Sequence, residues 1–221
     1  MKLEDRNICH ECGGFCCKKS GCDYSPNDFK DKSLTGILNI LECGNISIVS
    51  VVKFRMLPNG KKCCEPLLFL RARNIDRGII DLISYRKQCS MLTETGCTYD
   101  LEHRPSGGAN LTPVGLDPKT KMPLCYPAED PKTIIYPWES YQKVLEKAVK
   151  RLTGKTVDEV FEEQLEELFV TSLNQNFEGI NVVEGFQISL ILPDLIDVYP
   201  EVYERAKKRV NINAPVLNLK P

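Results

Sequence analysis

The sequence predicts an α+β fold: a loop- and hairpin-rich cysteine-cluster domain over residues 1–127, with a helical C-terminal part over 137–210 packed on it. Three observations predict it. All eleven cysteines fall before Pro127. Within that region, runs of β-branched and apolar residues alternate with turn-forming clusters, the signature of hairpins. From Pro137 onward apolar residues recur at helical spacing, and cysteine disappears.

The chain opens on its densest chemistry. Cys9, Cys12, Cys16, Cys17 and Cys22 put five thiols within fourteen residues, spaced C-x2-C-x3-C-C-x4-C. A CxxC pair places two sulfurs on one tight turn, where a single ion reaches both. Gly13 and Gly14 give the backbone freedom to wrap around a small object. Side chains of adjacent residues leave the backbone in different directions. Cys16 and Cys17 therefore suit two ligand sets, or two metals, better than one. Disulfides, redox thiols and buried cysteines are the competing readings.

Behind this loop, Ser25-Pro26-Asn27-Asp28 reads as a helix start, with Ser25 as N-cap and Pro26 in the first helical position. Leu34, Ile37, Leu38 and Leu41 continue that helix with one apolar face, and Gly44 is placed to end it. Cys43 at that end is open to burial or ligation. Ile46 to Phe54 reads as a strand, Leu57-Pro58-Asn59-Gly60 as a turn, and Pro66 to Ala72 as the returning strand. Cys63-Cys64 falls in the connection, where lysine-flanked thiols suit ligation, redox reactivity or a flexible tip.

Cys89 and Cys97 flank a compact hairpin turned at Thr95-Gly96. A second hairpin runs from Leu111 to Leu116 and returns through Met122 to Pro127, carrying Cys125. Cys89, Cys97 and Cys125 are thus single cysteines on turns, suited to closing a site begun elsewhere. In the helical part, Trp138, Tyr141, Leu145, Ala148, Val149 and Leu152 share one face, ended by Gly154. Thr156-Val-Asp-Glu159 is a capping box, and the helix after it turns Val157, Val160, Phe161, Leu165, Leu168 and Phe169 inward. Phe186 to Leu192 fits strand or helix, with Pro193 as its end. Pro200 to Val210 is a last short helix with a basic end.

Composition narrows the function. A net charge of −1 gives no global case for a nucleic-acid or membrane-surface protein. The charge is uneven: residues 53–87 carry an excess of six positive charges, and 156–169 hold six acids and no base. Two solvated faces, opposed or not, account for this. Met1 to Asn7 is charged and polar, unlike a signal peptide, and no apolar run is long enough for a bilayer. A cytoplasmic location follows as an expectation. In that reducing compartment eleven cysteines, an odd number, favour metal ligation over disulfides.

Cys9, Cys12, Cys16 and Cys17, followed by Cys89…Gly96-Cys97-Thr98-Tyr99…Arg104-Pro105, resemble the CxxCxxxCC-type cysteine-cluster family. That family is described as a zinc- or iron-chelating domain and in older descriptions is linked to flagellin lysine N-methylase. The resemblance covers roughly the first 127 residues. Tyr99 stands one place early for the family's spacing. The family cysteine shortly after the Arg-Pro pair is replaced here by Ser106, Gly107, Gly108 and Ala109. Either that ligand is lost or Cys125, in Leu-Cys-Tyr-Pro, takes its place; replacement is favoured because this ending is similar to the family's.

The inner ligand set is then Cys9, Cys12, Cys16, Cys17, Cys22, Cys89, Cys97 and Cys125, enough for two four-thiolate sites or one polynuclear site. Thiolates select zinc or an iron–sulfur cluster over calcium or magnesium. His10 and His103 read as surface or orienting residues rather than ligands, since the cysteines suffice. Three functions fit. One is a structural metal module that shapes a surface for a protein partner through the C-terminal helices. Another is an iron–sulfur enzyme, or accessory, for electron transfer or protein lysine N-methylation, although no glycine loop for S-adenosylmethionine is present. The last is a nucleic-acid module on residues 53–87, which lack the aromatic–basic interleaving of stacking platforms.

Overall fold

The computed structural model describes residues 21–72, 79–83, 89–94, 96–98, 103–116, 118–119, 123–174 and 182–210. Cys9, His10, Cys12, Cys16, Cys17 and Tyr99 lie outside the described residues.

The fold is α+β. Its centre is the hairpin of β2 (Ile46–Met56) and β3 (Lys62–Ala72), paired antiparallel along their full length from Ile46 opposite Ala72 to Met56 opposite Lys62. The short β1 (Cys22–Asp23) adds antiparallel to the end of β3, and β4 (Ile80–Asp81) adds parallel to β2, giving the order β1-β3-β2-β4. Burial runs along the hairpin in opposite senses. Ile46 to Val49 and Leu67 to Leu70 are buried, while Arg55 and Met56 are exposed. The apolar half of each strand therefore forms the core, and the charged half projects.

Ser25 does make a capping box with Asp28, but it caps only the 3-10 turn Pro26–Asp28. The helix predicted to continue from it starts afresh at α1 (Leu34–Glu42), where Ser33 accepts from the Gly36 N–H. Phe29 lies between them in extended conformation as C-cap of the 3-10 turn. The predicted loop position of Cys63-Cys64 is also corrected. Both residues belong to β3, opposite Arg55 and Phe54, because pairing extends to Lys62.

Two small hairpins follow. In the first, β5 (Leu92–Thr93) pairs with β6 (Gly96–Cys97), so Gly96 is a strand residue opposite Thr93 rather than part of the turn. In the second, β7 (Leu111–Leu116) pairs with β8 (Pro123–Pro127), with a register shift between Pro113 and Gly115. A four-residue helix, α2 (Ser106–Ala109), precedes β7.

The remaining helices are α3 (Lys132–Ile135), α4 (Gln142–Thr153), α5 (Val157–Leu173), α6 (Val182–Val198) and α7 (Pro200–Arg209). Trp138 and Tyr141 belong to the 3-10 turn Tyr136–Tyr141 ahead of α4, not to α4 itself. Leu152, expected on the buried face, is 42% exposed. Gly154 ends α4 at φ 73°, a left-handed position that costs glycine nothing. The Thr156–Glu159 capping box starts α5 as expected, and Val160, Phe161, Leu165, Leu168 and Phe169 are buried. Pro193 does not end α6; the helix runs on to Val198 with the proline inside it. The missing backbone bond costs about 3 kcal/mol, and Leu192 and Leu195, both buried, flank the proline and offset it. One buried cluster joins Ile48 and Phe69 of the sheet to Trp138, Leu145, Phe161, Leu195 and Val202 of the helices. Among the described residues no helix is long and apolar enough to cross a membrane.

Candidate metal centre

Cys22 enters the sheet opposite Ala72, which in turn faces Ile46 at the start of β2. Beside it Asp23 faces Arg71, and the two side chains form an ion pair while only 20% and 13% exposed. Little solvent screens that pair, so it holds β1 in register. The next residue, Tyr24, donates its N–H to the Leu70 carbonyl at 2.9 Å. Its own carbonyl accepts from Trp138 Nε1 at 2.7 Å, and that tryptophan is fully buried.

The other side of β1 is closed by α2. Asp28 Oδ2 accepts from the backbone N–H of Ser25 at 2.8 Å and of Ser106 at 3.0 Å, while Oδ1 accepts from the Ser106 hydroxyl at 2.6 Å. This carboxylate latches α2 to the strand it covers. The approach is close enough to exclude side chains. A Cβ on Gly107 would stand 2.7 Å from the Asp23 carbonyl oxygen, and one on Gly108 would stand 2.7 Å from Cys22 Sγ. Of the residues after Arg104-Pro105, Gly108 is thus packed against the Cys22 sulfur and Gly107 against the Asp23 backbone.

Cys89 reaches the same end of the sheet by another route. The Ser90 hydroxyl donates to the carbonyl of Asn45, the residue just before β2, at 2.6 Å. Cys89 itself is 2% exposed and belongs to the hydrophobic cluster. The Leu92 N–H donates to the Cys89 carbonyl at 3.1 Å, and Cys97 pairs with Leu92 across the small hairpin. Cys22 and Cys89, distant in sequence, are therefore both tied to the end of the sheet where β2 begins, and Cys97 lies across the small hairpin from Leu92. Cys125 lies in β8 opposite Pro113. The base of that hairpin is tied directly behind α2: the Asn110 carboxamide bonds both the N–H and the C=O of Glu129, at 2.7 and 2.8 Å.

The donor chemistry suits a soft ion, since none of Cys22, Cys43, Cys63, Cys64, Cys89 and Cys97 is in a disulfide. Among the described residues, however, no three Cys, His, Asp or Glu side chains converge on a point fit for a metal. These residues do not close a site by themselves; the four cysteines of 9–17 lie outside them. His103 is exposed.

The remaining cysteines stand elsewhere. Cys43 is exposed at the end of α1, its thiol 3.8 Å from the Asn39 carbonyl. Cys63 Sγ accepts from Arg55 Nε at 3.2 Å, and Arg55 also pairs with Glu65. Cys64, on the opposite face of β3, lies beside Tyr199. Burial pushes its thiol up to about 11, and burial likewise raises the Tyr199 phenol. A cleft of about 780 Å³ between the outer hairpin and α4–α5 is lined by Lys53, Glu65, Gln142, Lys150, Thr156 and Asp158 among others, and by none of the cysteines.

The charged stretches find separate partners. Lys53 pairs with Glu139 and Lys62 with Asp194. On α5, Glu163 takes Lys155, while Glu162, Glu166 and Glu167 take Arg205 and Arg209 of α7. Sequence reasoning missed the Asp28 latch and the close approach at Gly107-Gly108. A Gly-Gly pair one residue after Arg104-Pro105 was the signal on offer. No family model, no curated protein and no solved structure matches this chain, so the cysteine-cluster reading rests on its own residues.

Proposed function

We propose that this chain is a metal-binding cysteine-cluster module that holds zinc or an iron–sulfur cluster in a structural role. Cys9, Cys12, Cys16, Cys17, Cys22, Cys89, Cys97 and Cys125 are the thiols that would hold it. A single observation carries the reading: Cys22, through β1, and Cys89, through Ser90, are both tied to the end of the central sheet where β2 begins, with Cys97 across the small hairpin that follows Cys89. Bound there, the ion supplies cross-linking between segments, worth on the order of 10 kcal/mol in folding free energy for a four-thiolate site. What this chain itself contributes is a frame for Cys22: the Asp23–Arg71 pair, the Asp28 latch and the Tyr24–Trp138 hydrogen bond. The helical part, joined to the sheet through one core, is the surface offered to a protein partner.

Anaerobic purification followed by metal analysis and an absorption spectrum tests the proposal. Stoichiometric zinc in colourless protein, or iron in brown protein, is the expected result. Chelation then shifts Trp138 emission toward that of exposed tryptophan, because its anchor, Tyr24, is two residues from Cys22. Cys12→Ser and Cys97→Ser should each lower metal content. Native protein free of both metals ends the proposal.

A further inference from the structure

We propose that the outer half of β2 is a strand-addition site for an extended acidic segment of another protein, independently of the metal reading. One bond fixes the direction of every backbone group on β2. Ile48 donates its N–H to the Ile79 carbonyl at 2.8 Å, away from β3. Direction repeats at every second residue of an antiparallel strand. Val52, Phe54 and Met56 therefore also turn their N–H and C=O away from β3. Their neighbour β4 reaches only to Val49, and the Ser50 hydroxyl then bonds the Leu82 carbonyl at 2.7 Å. Beyond that point the outward groups of Val52, Phe54 and Met56 meet no hydrogen-bond partner among the described residues. None of the three residues is buried. On β3, by contrast, Tyr24 takes Leu70, Gln142 takes Leu68, and Pro66 has no N–H to give. The β2 row of donors and acceptors matches another extended backbone along its length.

Side chains select which backbone. Val52, Phe54 and Met56 share one face of β2, and Lys53 and Arg55 share the other. An antiparallel guest, the more stable arrangement, sets apolar residues beside the first row and acidic residues beside the second. Lys53 and Arg55 already hold Glu139 and Glu65, but in solvent-facing pairs that exchange partners at little cost. A second copy of this chain fits badly. Self-pairing centred on Phe54 sets Lys53 opposite Arg55, and centring on either cation sets it opposite its own copy.

The experiment titrates a capped peptide of alternating valine and glutamate into the full chain and follows amide exchange with and without it. Saturable binding that slows exchange at Val52, Phe54 and Met56 is the expected result. Methylating the valine nitrogens, which face β2 in the antiparallel register, should abolish binding to the same protein. A valine–lysine peptide should bind more weakly than the valine–glutamate one. Val52→Pro removes one outward donor, as Pro66 does on β3, and leaves the hairpin's own pairing intact. It should weaken binding about tenfold, with urea unfolding confirming the fold. Absence of binding overturns the proposal, as does equal affinity of the methylated peptide, of the lysine peptide or of Val52→Pro. Where Val52→Pro does not fold, the methylated peptide on the wild-type chain decides. A wild-type dimer that Val52→Pro turns into a monomer gives the edge to a second copy and overturns the acidic partner.

Discussion

Gln142 holds Leu68 by both of its backbone groups. The Leu68 N–H donates to the Gln142 side-chain oxygen at 2.9 Å, and the Leu68 carbonyl accepts from its side-chain nitrogen at 2.8 Å. One carboxamide thus stands in for a neighbouring strand at the β3 edge. Gln164 does the same at β4: its oxygen accepts from Leu82 N–H at 2.7 Å and its nitrogen donates to the Ile80 carbonyl at 2.9 Å. Pro66, two residues before Leu68, has no N–H to offer a passing chain. The inner part of the short sheet is closed at its sides by side chains rather than by more strands, which suppresses edge-to-edge pairing there.

Gln142→Ala should therefore destabilise the protein by about 1–3 kcal/mol, the cost of leaving part-buried backbone groups unpartnered. Gln142→Glu keeps the acceptor for Leu68 N–H but loses the donor to its carbonyl while ionised. Its deficit should shrink as the pH falls and the carboxyl protonates. Urea unfolding at pH 7 and pH 4.5 separates the two variants.

Trp138→Phe removes the hydrogen bond to the Tyr24 carbonyl and leaves a void in a fully buried place. A loss of about 2–4 kcal/mol is expected from the orphaned carbonyl and the cavity together. Thermal unfolding measures it. A loss below 0.5 kcal/mol would mean that the indole does not anchor the strand carrying Cys22.

Cys64 should resist alkylation in the folded protein near pH 7.5, because burial holds its thiol at about 11. Exposed Cys43 should react first, and mass spectrometry after a short iodoacetamide pulse reads the order. The stability sign follows. A thiol whose folded pKa is raised above its ordinary value of 9.0 contributes fully below pH 9 and loses that contribution as the pH climbs toward 11. Cys64→Ala should flatten that alkaline loss.

Glu166 predicts the acid limb. Its hydrogen bond from Arg205, with Arg209 adding a second, holds the carboxyl below its ordinary value of 4.5. A depressed carboxyl stabilises the fold above that value and stops doing so as the pH falls through the lower, folded-state one. Glu166→Gln should remove part of the stability difference between pH 6 and pH 3, seen as a smaller fall in melting temperature. The same variant should loosen α7 against α5, raising amide exchange along Pro200–Arg209.

Much of this molecule is legible in its residues. The class, the long hairpin with its Pro58-Asn59-Gly60 turn, both small hairpins and the Thr156 capping box are local matters, decided by propensity, period and turn chemistry over a few positions. The same locality explains the misses. Ser25 caps only a 3-10 turn, and Pro193 sits inside a helix, because packing of Leu192 and Leu195 outweighs a local breaker. Strand pairing carried Cys63 and Cys64 from a presumed loop into β3, where one meets Arg55 and the other Tyr199. For the candidate site, the residue types and their kinship with metal ligation came from the sequence by itself. The tertiary structure alone decided that Cys89 is buried, that Asp28 latches α2 and that Gly108 lies on the Cys22 sulfur. Such contacts join residues tens of positions apart, and their geometry is set by how whole elements pack, which no short window of sequence contains.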